Sequence, residues 1–227
     1  MEQQVFSEGE FHRIILHAVD EDWIQKYSKP SRRAFDSTKR LLDIITASVL
    51  LIMLLPVSFI IAMLHLLESS GSLFFIQQRV GYRGAEFKLF KFRTMVMDAE
   101  KDGPKFASTN DCRVTRVGRF MRMFRIDEVP QLFNVIRGDM SLVGPRPERQ
   151  EFIEMLTGKI LMYRMRFEIK PGLTGWAQVK NPYAGDDVNH HRRKLEYDLF
   201  YLKNRNMFLD AKILLKTVGI VLSKKGI

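Results

Sequence analysis

The chain of 227 residues has one cysteine, Cys112, so no disulfide can close within it. A reducing compartment is consistent with that, and the fold must rest on a buried core. The chain is also short of acid, with 26 Asp and Glu against 36 Lys and Arg, a formal net charge of +10. The imbalance points to anionic partners, and nucleic acid, an anionic membrane face and phosphorylated substrates all qualify. No secretory signal is read, because the first apolar run starts far from the N-terminus and no small-residue cleavage site follows it. At 46% hydrophobic residues, the length fits one compact domain with apolar surface to spare.

One stretch lacks charge altogether. From Ile44 to Leu64 the sequence IITASVLLIMLLPVSFIIAML contains no Asp, Glu, Lys or Arg and is long enough to cross a bilayer as a helix. Pro56 stands near its middle, where it removes a backbone hydrogen bond and clashes with the carbonyl of Ile52, so a bend is expected. Lys39 and Arg40 precede the run and Arg79, Arg83, Lys88, Lys91 and Arg93 follow it. Cytoplasmic flanks are the ones enriched in Lys and Arg, so both ends read as cytoplasmic. A helix that enters, breaks at Pro56 and returns satisfies this pattern. A kinked spanning helix is the alternative.

The rest divides by its punctuation. Residues 1–36 form an N-terminal extension in which Ser7 and Glu10 predict a capping box opening a helix through Trp23, and no chemistry is assigned there. Residues 37–70 are read as the re-entrant membrane helix hairpin, and residues 71–227 as a domain on the cytoplasmic side of its flanks. Leu73 to Gln77 and Glu86 to Phe92 are expected as two short strands about a turn at residues 80–84. Lys91, Arg93 and Thr94 follow as either a solvated basic edge or substrate contacts. Val114, Val117, Phe120, Met121 and Phe124 mark one face of a helix, with Arg113, Arg116, Arg119 and Arg122 mostly off it. A further helix is expected after Arg149, then a loop at residues 170–176. Trp176 there either packs, stacks on a base or sits at the interface. His190 and His191 are adjacent, hence do not face one another on a helix, and are read as surface residues. Leu195, Leu199 and Leu202 mark an amphipathic helix. Met207 to Leu222 is apolar but carries Asp210, Lys212 and Lys216, so it should lie in the membrane interface.

The densest chemistry lies between Arg122 and Glu148. Asp127 and Glu128 are adjacent, Arg122 and Arg125 precede them, and Pro130 follows. Asp127 is predicted as the N-cap of a helix carrying Val129, Leu132, Phe133 and Ile136, with Gly138 as its stop. The positive end of that helix would keep Asp127 ionised and favour phosphate nearby. Arg146, fixed between Pro145 and Pro147, adds a planar donor suited to phosphate oxygens. The plain alternative is that an acidic pair at a helix start is only a cap.

The string IDEVPQLFNVIRGDMSLVGPRPE, together with KRLLDIITASVLLIMLLPVSFIIA, FIQQRVGYRGAEFKLFKFRTM and KPGLTGWAQV, resembles the bacterial sugar transferase family, the small monotopic phosphoglycosyltransferases. The motifs run in the family's order from about Lys39 to the C-terminus. The resemblance implies an α+β, mainly helical monotopic membrane protein with a proline-broken re-entrant helix, a small β-hairpin and interfacial amphipathic helices. Leu55 departs from the small hydroxyl residue that some members carry before the proline.

The resemblance implies transfer of a sugar 1-phosphate from a UDP-sugar to polyprenyl (undecaprenyl) phosphate with release of UMP, the first membrane step of a bacterial surface glycan pathway. Asp127 would be the nucleophile and Glu128 the ligand of Mg2+. Arg122 and Arg146 match positions associated with phosphate binding, and Arg125, Lys91 and Arg93 join them as candidate substrate contacts. The expected location is the cytoplasmic face of the bacterial inner membrane, in contact with lipid, with homo-oligomerisation left open. Two other classes share parts of the pattern. A nucleic-acid-binding protein would not need the apolar run, and a basic membrane scaffold would not need the Asp127 to Arg146 string, so no nucleic acid is expected as partner.

Overall fold

The computed structural model describes residues 33–68, 71–99, 111–160, 162–180 and 188–223, together with Lys101 and Gly103. The helix expected between Ser7 and Trp23 lies outside the described residues. Among the described residues the fold is mainly helical, with two small sheets.

Helix α1 runs from Arg33 to Glu68 through Pro56 as one hydrogen-bonded run of 36 residues, which at about 1.5 Å per residue is roughly 54 Å of helix. Among the described residues it is the one helix long and apolar enough to cross a membrane. Its burial is uneven. Asp43, Ala47, Ile61 and His65 are buried, Leu51, Leu54 and Ser58 are half-buried, and these seven alternate in steps of three and four along one stripe. Ile52, Leu55, Pro56, Phe59 and Ile60 lie on the opposite, exposed side.

Both ends of α1 are fastened to the remainder of the chain. Near its start, Asp43 accepts from Ser141 Oγ at 2.7 Å and from Leu142 N at 3.3 Å, and Lys39 pairs with Asp210 at 2.7 Å. Arg40 donates to the carbonyls of Val135 and Ile136, the open C-terminal end of a later helix. At the other end, Glu68 accepts from the N–H groups of Arg116 and Val117 at 2.8 and 2.9 Å. A carboxylate there satisfies orphan donors and complements the helix dipole.

Strands β1, Phe74–Val80, and β2, Glu86–Phe92, form an antiparallel hairpin with Phe74 opposite Phe92 and Val80 opposite Glu86. β1 is thus longer and later than the sequence pattern suggested. Helix α2, Arg116–Met123, is capped by the Thr115 side chain, which accepts from Gly118 N. Gly118 is required by close approach, since a Cβ there would meet Thr94 O at 2.1 Å. Met121 is buried as the apolar face required, whereas Phe120 is exposed and lies tilted against Phe124, ring centroids 5.0 Å apart, instead of entering the core.

Helix α3, Gln131–Arg137, ends at Gly138 with φ of 102°, the left-handed stop the sequence announced. Strand β3, Ser141–Val143, pairs in parallel with β4, Gly172–Thr174. Helix α4, Gln150–Thr157, lies between them in sequence, and α5, Trp176–Lys180, follows β4. Helices α6, Val188–Asn204, and α7, Met207–Leu222, complete the fold. Leu209, Asp210 and Ile213 bury one face of α7, while Phe208, Leu215, Val218 and Leu222 stay exposed.

Two expectations on α6 and α5 resolve differently. His191 is buried on the inner face of α6, in step with Leu195 and Leu199, and is not a surface residue; His190, one position round, is half-buried. Helical phase decides this, because 191, 195 and 199 share a face. Trp176 takes the packing option, buried against Phe200 with ring centroids 5.9 Å apart.

Candidate active site

The acidic pair does not cap α3. Pro130 occupies the N-cap position without a side-chain cap bond, and Asp127 and Glu128 belong to a separate single turn of 3-10 helix, Ile126–Glu128. That turn is set off from α2 by Arg125 in the left-handed region, φ 54°. A non-glycine residue held there costs on the order of 1 kcal/mol or more and persists only where its surroundings enforce it. The consequence is that both carboxylates escape capping duty and are buried, 8% and 7% exposed.

Their environments then diverge. Glu128 Oε1 accepts from Arg146 Nη2 at 2.6 Å, with Arg125 Nη1 at 3.7 Å and Lys91 Nζ at 3.8 Å. Burial would raise its pKa, but Arg146, Lys91 and Arg125 outweigh that and hold the carboxyl well below the usual range. Asp127 has no hydrogen bond or ion pair among the described residues. Burial and the neighbouring Glu128 push its pKa up, against the partial relief of Lys91, Arg122 and Arg146. The expectation that a helix terminus keeps Asp127 readily ionised is therefore corrected, because burial beside a like charge outweighs it. Two adjacent carboxyls with opposed shifts suit two different roles.

The cations come from four places in the chain. Lys91 is the penultimate residue of β2, and burial followed by repulsion from Arg146 lowers its pKa to about 8. Arg122 on α2 donates Nε to Thr94 Oγ1 at 2.9 Å, and its charge acts on Asp127. Arg125 and Arg146 complete the ring. Against the two carboxylates the four cations leave a net charge of about +2, which would match the two negative charges of a diphosphate diester. Arg93 does not join them. Its Nε donates to Ser72 O at 2.9 Å and its guanidinium lies over the Phe75 ring at 5.7 Å, so it braces the entry to β1.

Several residues that place this ring were not singled out by sequence reasoning. Asn134, fully buried on α3, accepts from Phe90 N at 3.1 Å and donates to Lys88 O at 2.7 Å. This bolts β2, and hence Lys91, to the helix that follows Glu128. A polar residue between Leu132 and Val135 on the buried face was the available signal. The Arg146 segment is located by glycines: a Cβ on Gly172 would fall 2.0 Å from Gly144 N, and one on Gly175 2.2 Å from Gly144 O. The KPGLTG and GPRP motifs therefore meet backbone to backbone. Beyond them lies a second buried group of charges, Arg79, Glu148, Arg166, Lys194 and Asp198.

The sequence profile described as Bacterial sugar transferase matches residues 34–224, which include every residue of this site. The chain belongs to the bacterial sugar transferase family. It is 43% identical over 188 residues to the UDP-N-acetylgalactosamine-undecaprenyl-phosphate N-acetylgalactosaminephosphotransferase of Aeromonas hydrophila, covering 83% of this chain and 44% of that protein. It is 42% identical over 195 residues to the UDP-glucose:undecaprenyl-phosphate glucose-1-phosphate transferase of Caulobacter vibrioides, covering 85% and 72%. An uncharacterized sugar transferase of Bacillus subtilis, EpsL, is 40% identical over 196 residues, covering 86% and 89%. The chain thus spans less than half of the first of these relatives and most of the other two.

Proposed function

We propose that this bacterial sugar transferase is a membrane-anchored phosphoglycosyltransferase, moving a sugar 1-phosphate from a UDP-sugar to undecaprenyl phosphate and releasing UMP. The observation that carries the reading is the buried Asp127–Glu128 pair, one carboxylate clamped and the other unpaired, inside a ring of cations. The names of the relatives supply the substrate classes.

Phosphoryl transfer is mostly a matter of positioning and charge neutralisation. In the first step an Asp127 oxygen attacks the phosphorus that bears the sugar, the bond from that phosphorus to the bridging oxygen breaks, and UMP departs with the electron pair. The sugar phosphate is left esterified to Asp127. In the second step an undecaprenyl phosphate oxygen attacks the same phosphorus, the bond to Asp127 breaks, and the carboxylate returns. Arg146 and Arg122 would grip phosphate oxygens, and Lys91 would offset charge on the leaving nucleotide. The raised pKa of Asp127 marks a more basic, hence better, nucleophile once ionised.

The donor set is compatible with Mg2+, which commonly takes one or two carboxylates and fills its remaining positions with phosphate oxygens and water. Glu128, whose second oxygen lies outside the Arg146 bond, would hold it, and the ion would offset diphosphate charge as a Lewis acid.

The same proposal includes a re-entrant α1 with the site on the cytoplasmic face of a bacterial inner membrane, serving a surface glycan pathway. Two features of α1 support re-entry. Asp43 and Glu68 both fasten to the catalytic domain although about 37 Å of helix separates them, and burial thins out midway. Pro56 stands on the exposed side, which a proline bend would make convex, because a helix bends away from the ring.

The test of the chemistry is UMP release from a panel of UDP-sugars with undecaprenyl phosphate and Mg2+, joined to intact mass after UDP-sugar alone. A gain equal to one sugar phosphate, lost in Asp127→Asn, is expected; turnover by Asp127→Asn would defeat the covalent route. For topology, cysteines at Ser7 and Ser223 in a Cys112-free background should both resist an impermeant thiol reagent until cells are opened. Labelling at Ser7 from outside would instead mean a spanning helix.

A further inference from the structure

The turn that carries Arg146 is held in an unusual way. Pro145 and Pro147 have no N–H, so neither position can anchor the turn by donating. Four successive carbonyls accept instead. Gly172 N donates to Pro145 O at 2.8 Å, Arg166 Nη2 to Arg146 O at 2.9 Å, Arg79 Nη1 to Pro147 O at 3.2 Å, and Val80 N to Glu148 O at 3.0 Å. Two of the four donors are side chains, and one of these, Arg166, grips the carbonyl of Arg146 itself.

Arg166 is in turn immobilised. Its side chain is 2% exposed, its Nη2 pairs with Asp198 Oδ2 at 2.8 Å, and its Nη1 donates to Tyr163 Oη at 2.6 Å. Glu148 Oε1 lies 3.8 Å from Arg166 Nη1 and is also bound by Lys194, while Glu148 Oε2 lies 3.6 Å from Arg79. None of these side chains is hydrogen-bonded or ion-paired to Asp127 or Glu128 among the described residues. Among the described residues their hydrogen-bonded link to the site is the Arg146 backbone, while the charges of Glu148 and Arg79 also act on Arg146 and Lys91.

We propose that Arg166 is a positioning residue for Arg146: held by Asp198 and Tyr163, it fixes the Arg146 carbonyl and so sets the direction in which the Arg146 guanidinium reaches Glu128 and the phosphate. The inference rests on reading Arg146 as a phosphate grip. The chemistry calls for arginine at 166, because Tyr163 Oη, Asp198 and Arg146 O are served from two nitrogens set apart in one rigid plane. A lysine offers one nitrogen on a flexible stem and cannot reproduce that fork. Displacing a phosphate ligand by about 1 Å is enough to cost up to a hundredfold in rate.

A double-mutant cycle tests this with Arg166→Lys, Arg146→Lys and the pair, on the full chain in detergent or nanodiscs. The measurement is kcat/KM for a UDP-sugar that the wild type turns over, at fixed undecaprenyl phosphate, alongside thermal unfolding. Each single change should lower kcat/KM by about ten- to a hundredfold, and the double should fall within about twofold of Arg146→Lys alone. Multiplying losses would overturn the proposal, because they would mean that Arg166 acts through general stability. A silent Arg146→Lys would overturn both the grip and the positioning, and that single variant tells the two failures apart. If Arg166→Lys does not fold, Tyr163→Phe, which removes only the acceptor of Nη1, replaces it in the same cycle. Its smaller loss should vanish in the Arg146→Lys background, and a loss that persists there would overturn the proposal.

Discussion

Two buried groups of charges lie on either side of Arg146, and they are finished to different degrees. Around Glu148, the carboxylate oxygens are taken by Lys194, Arg166 and Arg79, and Arg166 is closed by Asp198, Tyr163 and a backbone carbonyl. Burial would raise the Glu148 pKa, but Lys194, Arg166 and Arg79 hold it at about 2. Asp127, by contrast, has no hydrogen bond or ion pair among the described residues, and burial with the neighbouring Glu128 pushes its pKa up. Burial raises the pKa of Asp198 in the Glu148 group as well, but Asp198 has the Arg166 guanidinium 2.8 Å away, whereas Asp127 keeps a cost that a ligand can relieve.

The largest expected effect lies at the Asp127 group. Asp127→Asn should lower turnover on the order of 10⁴-fold, as loss of a nucleophile does, and abolish the sugar phosphate adduct. It should not lower the unfolding midpoint, since it removes a buried carboxylate that no partner satisfies. A variant that loses activity only because its midpoint collapses would break the comparison. Glu128→Gln should weaken the Mg2+ dependence together with the rate, while also loosening Arg146.

Next in size is the arginine pair chosen to contrast geometry with charge. Arg146→Lys keeps the charge but loses the planar fork, and should cost about a hundredfold in kcat/KM. Arg116→Lys, on an exposed position of α2 where Glu68 accepts from the main-chain N–H and a lysine would keep the charge near it, should change the rate by less than about twofold. Equal effects at the two positions would mean that the anion site has been misplaced.

In the Glu148 group the loss should appear as stability. Asp198→Asn leaves Arg166 without its 2.8 Å ion pair in a site that is 2% exposed. Breaking one partner of such a pair costs roughly 3 kcal/mol, which in a domain of this size lowers the midpoint by about 6–12 °C. Thermal unfolding in detergent reads this directly. An unchanged midpoint would show that the Glu148 group is not the structural one.

These contrasts also mark what was legible in the chain. Hydropathy and helical phase act locally, so α1, α7, the hairpin and the stop at Gly138 could be read before any fold was known. The DE pair, Arg122 and Arg146 were visible as a motif, and the structure brings them together with Lys91 and Arg125. The cap reading misled, because Arg125 in the left-handed region starts a new turn and moves α3 one turn downstream. Arg93 misled because strand alternation ends at Phe92 and its side chain folds back on Ser72. The Glu148 group was invisible, since its members come from β1, the turn at residues 163–168 and α6, and no local period links them. Strands β3 and β4 were invisible as well, being three residues each and paired across about thirty residues of chain.

The smallest expected effect is a pH dependence, and its sign follows from Lys91. With its pKa lowered to about 8, the ammonium is present at neutral pH and is lost as the pH rises through that value. If that charge helps hold the diphosphate, kcat/KM for the UDP-sugar should fall with a single proton above pH of about 8. On the acid side the rate should rise only as Asp127 ionises, with a midpoint above the usual aspartate range because burial and Glu128 raise it. Lys91→Arg should remove the alkaline limb and leave the acid limb in place. An alkaline limb that stays near pH 8 in Lys91→Arg would assign it to another group. Stability supplies an independent check of the same ionisation. Between about 8 and the unfolded value of 10.5, the unfolded chain carries the Lys91 proton and the folded one does not, so the folded state gains stability as pH rises. Over that window rate should fall while the unfolding free energy contributed by Lys91 increases, an opposition that general alkaline damage to the protein would not produce.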